Sequence, residues 1–550
     1  MTDTDRATVA TTGARPARRV AHPGLILLII AGAQLMVVLD GTIVNIALPS
    51  MGQYFNKSQT DMTWALNAYT LAFGGLLLLG GRMGDILGRR RMFMLGLTLF
   101  TLGSFMAGVA VNFPMLLVGR AVQGVGGAIA SPTALSLITT EFEEGPARTR
   151  AFAVYAAVSG AGAALGLLLG GILTNYLTWR WVLFVNVPIG VVLVTGAVFY
   201  VHESERLRGR FDVLGALMSV GGMVATVYGF IHVAHSGWGN AQTYGVFAAA
   251  VVLLVGFVVY EARIAAEPMM PMRIFENRNR SGAYLVMFVV GAAMFGMFYF
   301  ITFFVQGVRE YSALKTGFSF LPVAATIGVT SQVMARLLPR TGPKPLIVTG
   351  TVLITASLFW FSTVDKNSSY AGRLLPGMIV LALAMGCLFV PLTSTALSKV
   401  QNTDAGLASA LLNVGQQVGG ALGLSVMTTV FGTSAKNYAS SHFGGLMQAI
   451  KMLPANVQHP VLAEVQHAGS SGLEKDQISA FVAAHPGSAS FFAPGGPYSE
   501  FGRALQGHAS GEAFLMGAFF GVAAFIVAIV LINVKKTDLP STPMPEAVAA

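Results

Sequence analysis

The sequence GGRMGDILGRRR, residues 80–91, is a short segment rich in glycine and arginine between two apolar runs. The flanking runs, 62–81 and 92–110, are each long enough to cross about 30 Å of hydrocarbon as a helix. Similar runs recur along nearly the whole 550-residue chain, which is 54% hydrophobic and 11% charged. Soluble proteins have about a quarter of their residues charged, so this composition predicts a membrane protein and excludes disordered, coiled-coil and collagen chains.

We predict an all-α integral membrane protein with fourteen membrane-spanning helices. Backbone polar groups find no partners in lipid, so the spans must be helical, and barrel strands would be about half as long and would alternate in polarity. The predicted spans are 24–48, 62–81, 92–110, 114–138, 151–174, 181–201, 213–234, 243–262, 283–305, 318–338, 346–364, 373–395, 407–431 and 512–534.

The basic residues indicate the orientation of the chain. With the N-terminus in the cytoplasm, most of the 34 Lys and Arg residues fall in cytoplasmic segments, as the positive-inside rule requires. An even number of spans places both termini in the cytoplasm, so we expect a multi-pass protein of the cell membrane. As topology signals, the basic residues explain the net charge of +10 without a nucleic-acid partner. No secretory signal is evident at the N-terminus.

Two internal matches predict a repeat. GRMGDILGRRRMFMLG (81–96) matches ARLLPRTGPKPLIVTG (335–350), with Gly88 over Gly342, and AALGL (163–167) matches GALGL (420–424). Repeats of this kind build the two bundles of many secondary transporters. The predicted divisions are cytoplasmic tails at 1–23 and 535–550, six-helix bundles at 24–201 and 283–534, a linker with two extra membrane helices at 202–282, and an extracellular loop at 432–511.

Two charged residues lie inside predicted spans at similar depth, Asp40 in the first span and Arg120 in the fourth. Charges at membrane depth are costly and are functional candidates by default. One interpretation is a structural ion pair that fixes the two helices together. The other is a proton site, in which burial disfavours the carboxylate, the guanidinium favours it, and the group gains and loses a proton as water access changes sides.

Uncharged amides inside the spans are candidates for a substrate cavity or for contacts between helices. Gln123 shares a polar, small-residue face with Arg120, and Asn413, Gln416 and Gln417 share one face of the thirteenth span. The ninth span is rich in Met and Phe, which suits either packing or a cavity for bulky apolar compounds. The cavity candidates are Gln34, Asn45, Gln123, Asn413, Gln416 and Gln417.

The segment between the second and third spans is either a solvated turn or a conformational latch. Gly88 permits a tight turn with positive φ, and Asp85 is expected near the start of the third helix or near a neighbouring helix N-terminus, where the dipole favours an anion. Asp85 aligns with Pro339 in the repeat, so the acid occurs on one side only. The latch candidates are Gly81, Arg82, Asp85, Gly88, Arg89 and Arg90.

The fifth span carries a ridge of glycines, Gly162, Gly166, Gly170 and Gly171. Small residues at this spacing let two helices approach closely. The ridge serves either for packing alone or as a sliding surface between moving helices.

Other chemistry has no support in the sequence. A single cysteine, Cys387, excludes a disulfide within the chain and a cysteine metal cage. The histidines between 432 and 511 are too irregularly spaced for metal ligands, and this segment is interpreted as a solvated loop with short helices. ATP-binding and common hydrolase motifs are missing from the sequence, so we expect no cofactor, no metal and no enzymatic activity.

Taken together, five motifs resemble the major facilitator superfamily, and within it the fourteen-helix drug:proton antiporters. They are LDGTIVNIALP (39–49), GRMGDILGRRR (81–91), GRAVQGVGGA (119–128), GLLLGG (166–171) and WRWVLFVNVPIG (179–190). Two positions depart from the pattern. Leu167 replaces a proline in the fifth helix, and Ile86 replaces a basic residue after Asp85.

The resemblance implies that Asp40 and Arg120 take part in proton coupling and that Asp85, Arg89 and Arg90 control the switch between two states. We expect a monomeric, proton-coupled exporter of small drug-like compounds, embedded in the lipid bilayer. The alternatives are a transporter of the same fold for an endogenous metabolite, a lipid or a self-made antibiotic, and a membrane-embedded sensor or enzyme.

Overall fold

The computed structural model describes residues 22–534 except 144, 204–208, 210, 399, 401–404 and 469–474, so nearly all of both predicted tails lies outside the described residues. The helices, numbered in chain order, are α1 (Pro23–Phe55), α2 (Gln59–Leu87), α3 (Arg89–Gly108), α4 (Phe113–Glu141), α5 (Pro146–Tyr176), α6 (Trp181–Phe184), α7 (Asn186–Tyr200), α8 (Val213–Ser236), α9 (Ala241–Arg263), α10 (Arg278–Gly307), α11 (Ala313–Thr341), α12 (Pro343–Phe361), α13 (Leu375–Leu397), α14 (Ala405–Lys451), α15 (Ala455–Ala468), α16 (Lys475–Ala484), α17 (Ala489–Phe492) and α18 (Pro497–Leu531). One-turn helices at Met272–Phe275, Tyr370–Leu374 and Pro486–Ser488 complete the set.

Thirteen helical stretches within the described residues are long and apolar enough to cross a membrane. The remaining predicted span, 151–174, lies in α5, whose apolar residues include Ala161–Tyr176. α5 runs for 31 residues and has no charged residue after Arg150, so its length and composition also suit a membrane span. Each of the fourteen predicted spans therefore coincides with a helical stretch.

The helices of the two halves pack in the same order. In the first half, α1 packs on α5, and α2 and α3 pack on α4. In the second half, α10 packs on α14, and α11 and α12 pack on α13. The extra helices α8 and α9 pack on each other, and α8 contacts α2 and α14. This order agrees with the internal repeat, and the residue boundaries of the two bundles stay predictions.

A single glycine separates two helices at the corresponding place in each half. Gly88, between α2 and α3, has φ +108°, and Gly342, between α11 and α12, has φ +78°. Residues with a side chain rarely adopt such angles. The positive φ expected at Gly88 is present, and the sequence match pairs the right residues.

The described residues of 432–511 are largely helical, and the expected loop with short helices is more ordered than predicted because a long membrane helix continues into it. α14 continues through it to Lys451, α15 to α17 follow, and α18 begins at Pro497. Buried apolar side chains, among them Leu446, Val461 and Phe491, form a core of their own. We call residues 432–511 the helical cap.

The two halves contact each other at the end of the molecule that holds the α1–α2 turn. Gln306 of α10 donates its Nε2 to the Ile46 carbonyl of α1 at 3.0 Å. Asn67 of α2 donates its Nδ2 to Ser425 Oγ of α14 at 3.1 Å. These contacts hold this end closed.

Candidate functional site

Asp40, in the middle of α1, is fully buried and accepts three side-chain hydrogen bonds. Arg120 Nη1 lies 2.6 Å from Oδ2 and forms an ion pair with it. Gln123 Nε2 and Asn186 Nδ2 donate to Oδ1 at 3.0 and 2.9 Å. The carboxylate is therefore held by donors from α4 and α7, and the pairing expected between Asp40 and Arg120 is present.

Arg120 is held by three groups in addition to its acid. Its Nε donates to the Ala65 carbonyl of α2 at 3.0 Å, and its Nη1 also donates to Gln123 Oε1 at 2.9 Å. The guanidinium carbon lies 4.5 Å from the centre of the Tyr69 ring, a cation–π contact. Its Nη2 has no hydrogen-bond partner among the described residues. The planar guanidinium thus joins α1, α2 and α4.

Two members of this network, Ser104 and Asn186, were not predicted from the sequence. Ser104 Oγ accepts from Gln123 Nε2 at 2.9 Å and from Asn186 Nδ2 at 3.1 Å, and it donates to the Leu183 carbonyl at 2.8 Å. Asn186 is the first residue of α7 and lies in the motif WRWVLFVNVPIG (179–190). The sequence signal that could have identified Asn186 is that it is the one amide side chain in this apolar stretch.

The network is a buried acid with a permanent cation and a shell of neutral donors. Asp40, Arg120, Gln123, Asn186 and Ser104 each have 0% of their surface exposed. In this conformation the carboxyl is closed off from water. A proton can reach it only after α1, α4 or α7 moves, which is the property needed to couple protonation to a change of shape. Gln123, a cavity candidate, is a member of this network.

Asp85, Arg89 and Arg90 of the predicted latch contact the first half of the molecule. Asp85 Oδ1 accepts from Arg89 Nη2 at 3.0 Å, and Arg89 Nη1 donates to the Ser136 carbonyl of α4 at 3.4 Å. Arg90 Nε donates to the Ala197 carbonyl near the end of α7 at 3.3 Å. These three residues tie α2, α3, α4 and α7 together.

The carboxylate at the N-terminus of α3 belongs to Glu203, whereas Asp85 was predicted either there or near a neighbouring helix N-terminus. Glu203 Oε1 accepts the Arg90 backbone N–H at 3.2 Å, and its Oε2 lies 3.6 Å from Arg91 Nε. An anion at a helix N-terminus is favoured by the helix dipole. A Cβ on Gly88 would lie 2.6 Å from Glu203 Oε1, so the glycine also leaves room for this carboxylate.

The remaining latch residues contact other parts of the chain. Arg82 Nη2 lies 2.5 Å from Glu267 Oε2, in the connection between α9 and α10. A Cβ on Gly81 would lie 3.5 Å from Pro132 of α4. Arg82 therefore joins α2 to the segment that follows the extra helices.

The glycine ridge of α5 faces two different helices. Gly162, Gly166 and Gly170 face α1, where a Cβ on Gly170 would lie 2.7 Å from the Ile43 carbonyl. Gly171 instead faces α11 of the other half, where a Cβ would lie 2.8 Å from the Ala313 carbonyl. Opposite it, a Cβ on Gly317 would lie 2.7 Å from the Leu167 carbonyl. Only the Gly171 end of the ridge lies between the halves.

The amides predicted to line a cavity are spread over several helix contacts. Gln34 Oε1 accepts from Tyr155 Oη of α5 at 2.7 Å. Asn45 is buried, and its Oδ1 has no partner among the described residues. The Cβ of Gln417 packs against Gly74 of α2, and the carbonyl of Gln416 packs against Gly291 of α10. Asn413 is exposed.

The fold and this buried network define a multi-pass membrane protein with an ionisable centre in one half. Residues 30–424 match the sequence profile of the Major Facilitator Superfamily, and the chain belongs to that superfamily of transporters. It is 43% identical to the puromycin resistance protein pur8 of Streptomyces alboniger over 420 residues, which is 76% of this chain and 83% of that protein.

Other relatives and a solved structure agree with this assignment. The chain is 37% identical to the cephamycin export protein CmcT of Amycolatopsis lactamdurans over 81% of this chain and 94% of that one. It is 31% identical to the multidrug resistance protein Stp of Mycobacterium tuberculosis over 80% and 81% of the two chains. A bacterial homologue of the human lysosomal transporter Spinster, solved in an inward-facing and unoccupied conformation, matches with a TM-score of 0.61 at 16% identity, covering 96% of this chain and all of that one. The chain has the major facilitator fold.

Proposed function

We propose that this protein exports drug-like amphipathic compounds or antibiotics across the cytoplasmic membrane in exchange for protons, by alternating access of two helix bundles. The observation that carries the proposal is the fully buried Asp40 carboxylate beside Arg120. The names of the relatives, which include resistance and export proteins, support the cargo class. The protein acts as a monomeric transporter with both termini in the cytoplasm.

The contacts between the halves support an alternating-access cycle. With cytoplasmic termini, the α1–α2 turn faces outward, so the contacts of Gln306 with Ile46 and of Gly171 with Ala313 close the outer side. Toward the inner side, Gln332 of α11 and Asn413 of α14 are exposed. Polar side chains facing lipid are unfavourable, so we infer that they border an aqueous opening toward the cytoplasm.

The proton site lies at the closed end of this opening. Asp40 and Asn45 lie on α1, which contacts α10 and α11 of the other half. Because the Asp40 carboxylate is enclosed by α4 and α7 of its own half, a shift of α1 relative to these helices during the cycle would expose it to water on one side at a time. The membrane potential contributes about 2.3 kcal/mol per proton per 100 mV, enough for roughly a 50-fold gradient of a neutral substrate.

The test is Asp40→Asn in inverted membrane vesicles energised by a pH gradient. We expect proton-driven uptake of the cargo, which corresponds to efflux in the cell, to be abolished, while binding of the same compound to purified protein is retained. Asp365→Asn, in the α12–α13 connection, is the matched control and should transport normally. Normal proton exchange by Asp40→Asn vesicles would refute the proposal.

Two candidate functions differ in the range of compounds that the protein exports. Four curated relatives carry the name of one antibiotic, namely puromycin, cephamycin, tetracenomycin or lincomycin, whereas another is named for multidrug resistance. A same-fold exporter of one self-made antibiotic, metabolite or lipid is therefore the second candidate. Growth of cells with and without the protein on a panel of toxic compounds separates them, because a narrow exporter protects against one chemical class.

A further inference from the structure

A groove of about 770 Å³ lies outside the Asp40 site, between the extra helix α8, α14 and α18. Its walls come from α14 and α18 residues spaced by three or four positions, together with Phe230 and Trp238 from α8 and the turn after it. Most of the lining is apolar or aromatic. A pocket of this size fits a drug-sized molecule.

The groove has one acid, Glu512, and neither a lysine nor an arginine in its lining. Glu512 of α18 is half-buried, and no hydrogen bond or ion pair links its carboxylate to another described residue. The nearest basic residue in the α14 sequence, Lys436, is already engaged, since its Nζ donates to the Ala234 and His235 carbonyls at 2.9 and 2.7 Å. The groove therefore has an unneutralised negative charge.

The polar and apolar ends of the groove are separated. His508, Glu512 and Asn437 lie toward the helical cap, at or beyond the start of the predicted span 512–534, whereas Phe230, Val426 and Phe520 lie deeper in the membrane. An amphipathic molecule placed here would have its charged group at the membrane surface and its apolar part in the hydrocarbon.

From this arrangement we propose that the α8–α14–α18 groove is a peripheral binding site for lipophilic organic cations, held by Glu512 and by the aromatic side chains. A cation in a partly apolar groove gains from an unpaired carboxylate and from aromatic faces. A phospholipid with an ammonium headgroup fits less well, because its phosphate would lie beside Glu512 without a lysine or arginine in the lining to neutralise it. The proposal concerns equilibrium binding and is independent of the proposed transport activity.

The test measures occupancy of the groove directly. In a Cys387→Ser background, Ser434→Cys places one thiol in the groove, and Ser441→Cys places one on the exposed surface of α14 outside it. Maleimide labelling is followed in lipid nanodiscs with tetraphenylphosphonium or with the neutral triphenylphosphine oxide. We expect tetraphenylphosphonium to slow labelling at position 434 and not at 441, and the neutral compound to protect about tenfold less well.

Glu512→Gln should weaken the protection by tetraphenylphosphonium about tenfold, whereas the control Glu464→Gln in α15 should not change it. Folding is checked by size-exclusion chromatography, in which each variant should elute as a single monodisperse peak. Equal protection by both compounds, protection that survives Glu512→Gln, or a thiol already shielded in nanodiscs but reactive in detergent would each overturn the proposal. The last result would indicate a bound lipid.

Discussion

Asp40 Oδ2 and Arg120 Nη1 lie 2.6 Å apart, with neither side chain exposed. Removing one member of such a buried pair leaves an uncompensated charge and typically costs about 3–5 kcal/mol, whereas replacing both by neutral groups is often tolerated. A structural pair and a proton site therefore predict different outcomes for the double substitution.

We expect Asp40→Asn and Arg120→Gln each to lower the thermal stability of the purified protein, and the double variant to recover most of it. Proton-driven efflux should stay abolished in all three, because the titrating group is missing or its cation is lost. Thermal unfolding followed by fluorescence, together with vesicle transport, checks this. Recovery of transport in the double variant would show that the pair is only structural.

Asn186→Leu is expected to reduce both stability and coupled transport. It removes a donor from Asp40 Oδ1 and leaves Ser104 Oγ with one fewer donor, at a cost of about 1–3 kcal/mol. The thermal unfolding midpoint and the ratio of protons to cargo moved are the measurements. Asn175→Leu, at the exposed end of α5, is the control and should leave both unchanged. Wild-type coupling in Asn186→Leu would exclude Asn186 from the site.

Gly88→Ala is expected to impair transport more than Gly145→Ala. Both glycines have positive φ, at +108° and +119°, so both alanine variants bear a similar backbone strain of about 1–3 kcal/mol. Only at Gly88 would the new Cβ meet the Glu203 carboxylate, since nothing lies within 4 Å of a Cβ at Gly145. Efflux rates normalised to the amount of protein in the membrane test the difference. Equal losses in the two variants would mean that the Glu203 contact is unimportant.

Gly171→Leu is expected to hold the α5–α11 contact apart and to favour the state that is open on that side. The added side chain would start 2.8 Å from the Ala313 carbonyl. In a Cys387→Ser background, Gln306→Cys should then react faster with a membrane-impermeant maleimide added from outside. Gly245→Leu in α9, where nothing lies within 4 Å of a Cβ, is the control. Unchanged reactivity of the thiol would contradict the assignment of this contact as the outer closure.

The sequence was sufficient to predict the charged residues of the site. Asp40 and Arg120 could be paired because charged residues inside apolar spans are few and had similar predicted depth. Asn186 and Ser104 could not be assigned, because neutral polar residues are common in membrane helices and their partners lie on other helices, 19 to 146 residues away in sequence. Glu203 was also missed, because its contact with Arg90 spans 113 residues of sequence.

The fold could be predicted inside the membrane, where the length of the apolar runs determines the helices, and less well outside it. The predicted spans locate the membrane helices, and the match of Gly88 with Gly342 located a turn in each half. The helical cap was predicted as a loop with short helices, and the continuation of α14 was missed because 432–451 is polar and contains Gly444 and Gly445, which weaken the signal for a continuing helix. Packing against Val461 and Phe491 compensates for that weakness.

α14 runs without interruption for 47 residues, about 70 Å, from the second half of the molecule into the helical cap. α18 returns from the cap into the same half. Both helices that carry the cap thus belong to the second half, and a rotation of that half would move the cap through an arc. On the proposed topology and transport cycle, a binder that clamped the cap against the α1–α2 turn would arrest transport from outside the cell without entering the substrate pathway.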